Sequence, residues 1–148
     1  MIVQFYDSSS FVKLFVREAG TPEMLRLYAT ADRRVVSRIA FVEVHSAIVR
    51  LEREGFISLP DADQSRTLLK LEANRLTVVE VTVDVVSTAQ ALLSQHKLRS
   101  MDAIQLASAM QIGTPSLTTF VVSDNRLKTA ALTEGFRTVD PTGMQVAP

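Results

Sequence analysis

Four acidic residues occupy the positions at which this sequence could carry out chemistry: Asp7, Glu43, Asp102 and Asp124. Asp7 directly follows the apolar run MIVQFY, and Asp124 directly follows LTTFVVS. Glu43 and Asp102 lie in stretches with helical periodicity, each on or beside the apolar face of its helix. Carboxylates crowded at low dielectric raise one another's pKa, and a hard divalent cation such as Mg²⁺ or Mn²⁺ removes that conflict. Such an ion can also activate water for attack on a phosphodiester.

Each of these acids, taken alone, also has a purely structural explanation. An aspartate after a strand commonly forms a turn or caps a helix, which would account for Asp7 and Asp124. Asp102 could interact with the N-terminus of its own helix, which stabilises by about 0.3–1 kcal/mol. Glu43 could reach solvent from the edge of the apolar face or pair with an arginine. The joint pattern is more informative, because only 16 of the 148 residues are acidic.

The elements that must position these acids alternate along the chain. Short apolar runs predict four strands and then a fifth, at MIVQFY, RVVS, LTVVEVT, LTTFVVS and FRTVD. Helical patterns predict seven helices, at SSSFVKLFVREAG, EMLRLYAT, RIAFVEVHSAIVRLEREG, PDADQSRTLLKLEANR, DVVSTAQALLSQHK, SMDAIQLASAMQIG and DNRLKTAALTEG. Thr21 and Ser37 are interpreted as the N-caps of the second and third helices.

This alternation predicts an α/β fold with a parallel sheet covered by helices on both faces. In such sheets a site forms outside the carboxyl ends of the strands, near a switch in strand order. Asp7 and Asp124 would both lie at that edge. The length suits one domain, which we predict to extend over residues 1–148.

Composition excludes several classes of function. The chain has no cysteine, which removes disulfides, thiolate catalysis and cysteine-based zinc sites. Its five glycines form neither a dinucleotide fingerprint nor a phosphate-binding loop. Both histidines, His45 and His96, are interpreted as solvated surface residues. Sixteen basic and sixteen acidic residues give a net charge of zero, which argues mildly against extensive phosphate neutralisation but allows a local basic rim.

The segments that contain the acids resemble, in order and spacing, the motif regions of PIN-domain ribonucleases, especially the VapC toxins of bacterial toxin–antitoxin pairs. They are YDSSSFVKLFVREAG, VSRIAFVEVHSAIVR, LRSMDAIQLASAMQIG and VVSDNRLKTAALTEGF. The most specific part is L-R-x-x-D-A-I-x-L-A-x-A, followed by a strand and then S-D-x-x-L-x-x-A-A. The resemblance spans essentially the whole chain.

The resemblance implies a three-layer α/β/α sandwich with a central, mainly parallel four- to five-stranded sheet. It implies a Mg²⁺- or Mn²⁺-dependent endoribonuclease that cleaves RNA, forms a homodimer and is inhibited by a cognate VapB-type antitoxin. Such an antitoxin typically inserts a C-terminal segment against the acidic pocket. With no apolar run near the ~20 residues of a membrane span and no signal-peptide pattern at MIVQFYD, we expect a cytoplasmic protein.

Carried over residue by residue, the resemblance assigns all four acids to catalysis and to the metal. Asp7 and Asp102 would be the most dependable ligands. Glu43 and Asp124 would contribute through water or complete a second site, and Asn125 stays an alternative to Asp124. As a further hypothesis from their positions, Arg38 or Arg99 would hold the RNA backbone.

Two other functions stay open at this point. A receiver-like signalling domain would place a phosphoacceptor aspartate at the end of a central strand, and Asp84 is the candidate. That function leaves Glu43 and Asp102 without a role, and it predicts a lysine where the fourth strand instead ends in Ser-Asp. The other alternative is a PIN-like domain retained only for binding a partner. It would bind an antitoxin tightly without metal-dependent cleavage.

Overall fold

A five-stranded parallel sheet forms the centre of the computed structural model, which describes residues 1–143. Its strands are β1 (Val3–Tyr6), β2 (Arg33–Ser37), β3 (Thr77–Val79), β4 (Thr118–Val121) and β5 (Arg137–Val139). They lie in the order β3-β2-β1-β4-β5, and every neighbouring pair is parallel. The chain runs outward from β1 to β3 and then returns to place β4 on the other side of β1. The strand order therefore switches between β1 and β4.

Helices cover both faces of this sheet, as a parallel sheet requires. They are α1 (Ser8–Phe11), α2 (Thr21–Thr30), α3 (Ile39–Arg53), α4 (Leu59–Glu72), α5 (Val83–Gln95), α6 (Ser100–Ala109) and α7 (Asn125–Thr133). Side chains of α1 to α4 pack against one face, which carries Tyr6, Val36 and Val121. Those of α5 to α7 pack against the other, which carries Phe5, Val35 and Phe120. The predicted three-layer α/β/α sandwich is confirmed.

The two faces follow directly from the register of the strands. Phe5 pairs with Val35 and Phe120, and the next residue along each strand points to the opposite face. Because both faces of the central strands are covered, their buried apolar residues come in consecutive pairs, such as Phe5–Tyr6, Val35–Val36 and Phe120–Val121. That pattern is why the sequence predicted strands in these places. The rings of Phe5 and Phe120 stack with their centroids 5.2 Å apart.

Three predictions about the helices on the α1–α4 face are wrong, and two of them concern α1 and α2. The first helix ends early, because α1 is followed by a short 3₁₀ turn over Val12–Leu14 and does not continue to Gly20. Thr21 is the first residue of α2 rather than its N-cap, and Gly20 caps the helix in a left-handed conformation. The Thr21 hydroxyl instead accepts a hydrogen bond from the backbone N–H of Glu18 at 3.0 Å. The Thr21 hydroxyl oxygen therefore stabilises the loop before α2 and not the first turn of that helix.

The prediction that Ser37 caps α3 is also wrong. Ser37 is the last residue of β2, and Arg38 precedes the helix without a side-chain cap. The Ser37 hydroxyl is buried, and its oxygen lies 3.1 Å from the hydroxyl oxygen of Ser108 on α6. Packing of α6 against β2 therefore uses this oxygen, a contact that local sequence does not reveal.

Candidate active site

The acids at the carboxyl edge of the sheet flank the switch in strand order. Asp7 follows the last residue of β1 and caps α1. Asp124 follows β4 by three residues and caps α7. In a parallel sheet, the diverging connections on either side of such a switch leave a crevice for a ligand. The prediction that both acids lie at this edge is confirmed by their positions.

A cleft of about 820 Å³ opens at this edge and gathers three of the four acids. Its walls are formed by Glu43, Arg99, Ser100, Met101, Asp102, Ser123, Asp124, Asn125 and Arg126. Asp7 does not line the cleft, because its side chain is only 4% exposed. It is connected to the cleft wall through Ser9, whose hydroxyl oxygen accepts a hydrogen bond from the backbone N–H of Ser123 at 3.2 Å.

The carboxylate of Asp7 is held by the serines that follow it. The Ser9 hydroxyl donates to Oδ2 at 2.7 Å, and the Ser10 backbone N–H donates to Oδ1 at 3.1 Å. Burial raises the pKa of Asp7 to about 6, although the hydrogen bonds from Ser9 and Ser10 oppose this rise. A buried carboxylate with no cation beside it is costly, since hydrogen bonds only partly replace water.

Glu43 lies in a small network of polar side chains rather than at a solvated helix edge. Its Oε1 accepts hydrogen bonds from the Ser8 hydroxyl at 2.7 Å and from Gln105 Nε2 at 2.9 Å. Gln105 Nε2 also lies 2.8 Å from the Ser8 hydroxyl oxygen. Within residues 1–143, Glu43 has no arginine or lysine at ion-pair distance. The structural explanation of Glu43 as half of an ion pair is therefore wrong.

Sequence reasoning missed Gln105 and Ser8 as members of this network. Gln105 is 2% exposed, and its Oε1 has no hydrogen-bond partner among the described residues. A signal was present, because Gln105 lies three residues after Asp102 and therefore on the same side of α6. The network fixes the Glu43 carboxylate beside the cleft.

Asp102 is half-buried in the first turn of α6, on the cleft wall. Burial raises its pKa, and the negative charges of Asp124 and Glu43 raise it further. A backbone hydrogen bond at Arg99 and the charge of that residue oppose the rise. Asp102 therefore lies near both other acids on the cleft wall, and its place in the first turn of α6 also fits a favourable interaction with the helix N-terminus.

Asp124 caps α7 and also lines the cleft. Its Oδ1 accepts a hydrogen bond from the backbone N–H of Leu127 at 2.9 Å, which caps α7. The residue is exposed and lines the cleft together with Asn125. Capping uses one carboxylate oxygen, so the group can still present negative charge to the cleft. Asn125 stays the alternative for this position.

The chemistry of this donor set fits a hard cation. Carboxylate oxygens are the protein ligands that Mg²⁺ and Mn²⁺ prefer, and the raised pKa values of Asp7 and Asp102 reflect the cost of charge that a cation would relieve. Within residues 1–143, however, no three Asp, Glu or His side chains converge closely enough to hold one ion together. Binding through one or two carboxylates, with water in the other positions, matches the usual habit of Mg²⁺.

The structure distinguishes between the two arginines predicted to contact substrate. Arg99 is exposed on the cleft wall. Arg38 lies instead beside the groove between α3 and α4, where its Nε donates to Glu80 Oε2 at 3.0 Å. Arg99 is therefore the better placed of the two for a ligand in the cleft.

Two other sequence interpretations are also decided by position. Asp84 is exposed in the first turn of α5, after the edge strand β3, so it does not end a central strand as a receiver phosphoacceptor would. His45 is exposed, as predicted. The interpretation of His96 as a solvated residue is wrong, because its side chain is only 13% exposed and its Nε2 lies 2.8 Å from Glu134 Oε1.

A protein-family model and several curated ribonucleases match this chain. The model of the PIN domain family matches residues 5–131. Ribonuclease VapC45 of Mycobacterium tuberculosis (strain CDC 1551 / Oshkosh) is 35% identical over 93% of this chain and 94% of its own length. Ribonuclease VapC46 of Mycobacterium tuberculosis (strain ATCC 25618 / H37Rv) is 31% identical over 95% of this chain and 99% of its own.

Solved structures share the fold at lower sequence identity. Mycobacterium tuberculosis VapC20, described as a Sarcin-Ricin loop cleaving toxin, superposes with a TM-score of 0.66 and 20% identity. That match covers 86% of this chain and 94% of VapC20. VapBC2 from Rickettsia felis, bound to a DNA fragment from its promoter, gives a TM-score of 0.65 at 12% identity and covers 94% of this chain and 98% of its own.

Proposed function

Because this chain belongs to the PIN-domain family, we propose that it is an endoribonuclease that uses a divalent cation to hydrolyse RNA phosphodiester bonds. We further propose that it is the toxin of a toxin–antitoxin pair. The observation that carries the proposal is the cleft at the switch in strand order, which Glu43, Asp102 and Asp124 line together. Ribonucleases of the VapC group are relatives over more than nine-tenths of the chain, which supports the same activity here.

In the proposed mechanism, Asp102 on the cleft wall and Asp7 buried behind it would hold Mg²⁺ or Mn²⁺, while Glu43 and Asp124 would act through water or complete a second site. When bound, such a cation would lower the pKa of water and stabilise charge on a phosphoryl oxygen. Ser9 and Ser10 orient the Asp7 carboxylate.

Other side chains of the cleft and of the network around Glu43 orient the acids and bind the RNA. Ser8 and Gln105 orient the Glu43 carboxylate. Arg99 on the cleft wall binds a phosphate of the RNA, so that water attacks the phosphorus in line with the departing oxygen. The side chains thus position and bind, and their chemistry needs no nucleophile from the protein.

Metal removal is the direct test of this function. We expect EDTA-treated protein, freed of contaminating nuclease, to leave RNA intact, and we expect Mg²⁺ or Mn²⁺ to restore cleavage. The measurement is gel analysis of a labelled RNA with and without each ion. Cleavage that persists in EDTA would rule out the metal-dependent mechanism. Tight antitoxin binding with no cleavage under any of these conditions would favour the partner-binding alternative.

The proposed role of Arg99 has a matched control on the same molecule. Arg99→Ala should lower kcat/KM for RNA roughly tenfold, mainly through KM, because it removes a charged hydrogen bond to phosphate. Arg38→Ala removes the same charge from an exposed pair outside the cleft and should change kcat/KM by less than about twofold. Steady-state kinetics on a fluorogenic RNA measures both. Equal effects of the two variants would contradict the assignment.

The partners implied by the same relationship are also proposals. We expect a VapB-type antitoxin to bind the chain and block cleavage, as the VapBC complexes among the solved structures suggest. We also propose that the chain forms a homodimer and is located in the cytoplasm. None of the helices in residues 1–143 has the length and apolarity to cross a bilayer. Sedimentation of the purified chain, alone and with the protein encoded beside it, tests both associations.

A further inference from the structure

A second cavity adjoins the acidic cleft. It has a volume of about 410 Å³ and lies between α7 and the end of α5. Asn125 and Arg126 line both this cavity and the cleft, so the two are neighbours at the start of α7. Its size is within the range of cavities that hold small ligands or parts of larger ones. We call it the flanking cavity.

Two basic residues border the flanking cavity, whose exposed lining is otherwise mainly apolar. Lys97 and Arg126 line it and are exposed, and neither has a carboxylate at ion-pair distance within residues 1–143. Its lining residues, all within the described part of the chain, include no Asp or Glu. The nearby acid Glu134 is engaged by His96, at 2.8 Å. Two basic residues therefore border one cavity, and Arg126 borders the acidic cleft as well.

This arrangement bears on how a chain of zero net charge could bind a polyanion. An acidic cleft repels RNA, and a cation bound in it offsets only part of that repulsion. Positively charged side chains beside the cleft would offset the remaining repulsion. Arg126 suits this role because its guanidinium can bind a phosphate through two parallel hydrogen bonds, and Lys97 adds a compact charge.

We propose that Lys97 and Arg126, which border the flanking cavity, bind the phosphate of a nucleotide next to the scissile one in single-stranded RNA. The proposal rests on the proposed function, because the cleft must hold the scissile phosphodiester. The strand then passes over Asn125 and Arg126, which both cavities share. Contacts of this kind position the strand without reading its sequence.

The test measures RNA binding separately from cleavage. The inactive Asp102→Asn protein, at constant Mg²⁺, is titrated against a fluorescein-labelled single-stranded oligoribonucleotide over a series of KCl concentrations. Adding Lys97→Ala and Arg126→Ala should weaken binding at least about tenfold at low salt. The slope of log affinity against log salt should become shallower by about 0.7, because one phosphate is no longer neutralised and each neutralised phosphate of a single strand accounts for that much of the slope.

A matched control keeps the change in net charge the same. The double variant Arg53→Ala with Arg137→Ala removes two exposed cations that line neither cavity. Arg137 is the first residue of β5 and so lies at the amino ends of the strands, whereas the cleft lies at their carboxyl ends. The control pair should leave the slope unchanged. Equal reductions in affinity from the two pairs, or no reduction from Lys97→Ala with Arg126→Ala, would overturn the proposal. If wild-type protein binds RNA in this way but never cleaves it, the nuclease function fails while the binding site stands.

Discussion

Replacing Asp102 by asparagine should reduce RNA cleavage by roughly 10²- to 10³-fold or more, the size of effect seen when one preorganised group of an active site is removed. The substitution keeps the shape of the side chain and removes the charge that would hold a cation. The fold should persist, because the neutral side chain also ends the repulsion from Asp124 and Glu43 that raises the Asp102 pKa. The measurements are kcat/KM on a fluorogenic RNA and the melting temperature.

Asp84→Asn is the matched control for that experiment. Asp84 occupies the first turn of α5, as Asp102 occupies the first turn of α6, but it lies outside the cleft. It should retain full activity. The same variant examines the receiver alternative, since labelling of wild-type protein with a small phosphodonor, abolished in Asp84→Asn, would support that function. Full ribonuclease activity in Asp102→Asn would remove Asp102 from the site.

Asp7→Asn should abolish cleavage to a similar extent and, without a cation, stabilise the folded protein at neutral pH. The pKa of Asp7 is raised from 3.8 to about 6. A raised carboxyl pKa means that the folded state binds the proton more tightly. The resulting stability is present below about pH 3.8 and is lost as the pH rises through about 6. The loss at pH 7.5 is about 3 kcal/mol at most, because a tenfold change in proton affinity corresponds to about 1.4 kcal/mol.

Urea unfolding in EDTA at several pH values between 4 and 7.5 measures this effect. Asparagine retains the cap of α1, because its side-chain oxygen still accepts from the Ser10 backbone N–H. The variant should therefore show a smaller fall in unfolding free energy with rising pH than wild type does. Added Mn²⁺ should raise the stability of wild type and have little effect on the variant. Identical pH profiles would show that the buried Asp7 carboxyl is not the source of the dependence.

Much of the fold could be predicted from the sequence, because it depends on local composition. The apolar runs around Phe5 and Phe120 are typical of strands covered on both faces, and the stretches between them have helical periodicity. A parallel sheet with helices on both sides follows from that alternation. The errors in the caps are at Thr21 and Ser37, whose hydroxyl oxygens form hydrogen bonds outside the helices that they were predicted to cap.

The site was only partly predictable, because some of its contacts join segments that are distant in sequence. Asp7 and Asp124 could be placed at the carboxyl edge because each follows a strand. The role of Gln105 could not be predicted, since its partners Ser8 and Glu43 come from two other helices. His96 looked like a surface residue because its neighbours are polar, yet it packs against Glu134, which is 38 residues away.

The sequence by itself determined the layer architecture, the edge of the sheet where a site would form, and the four acids proposed for it. Those properties follow from residue type and periodicity within single segments. Only the tertiary structure decided that Asp7 lies behind the cleft, that Arg99 rather than Arg38 lines it, and that Lys97 and Arg126 share an adjoining cavity. These are relations between segments distant in sequence, and they exist only after the helices pack onto the sheet.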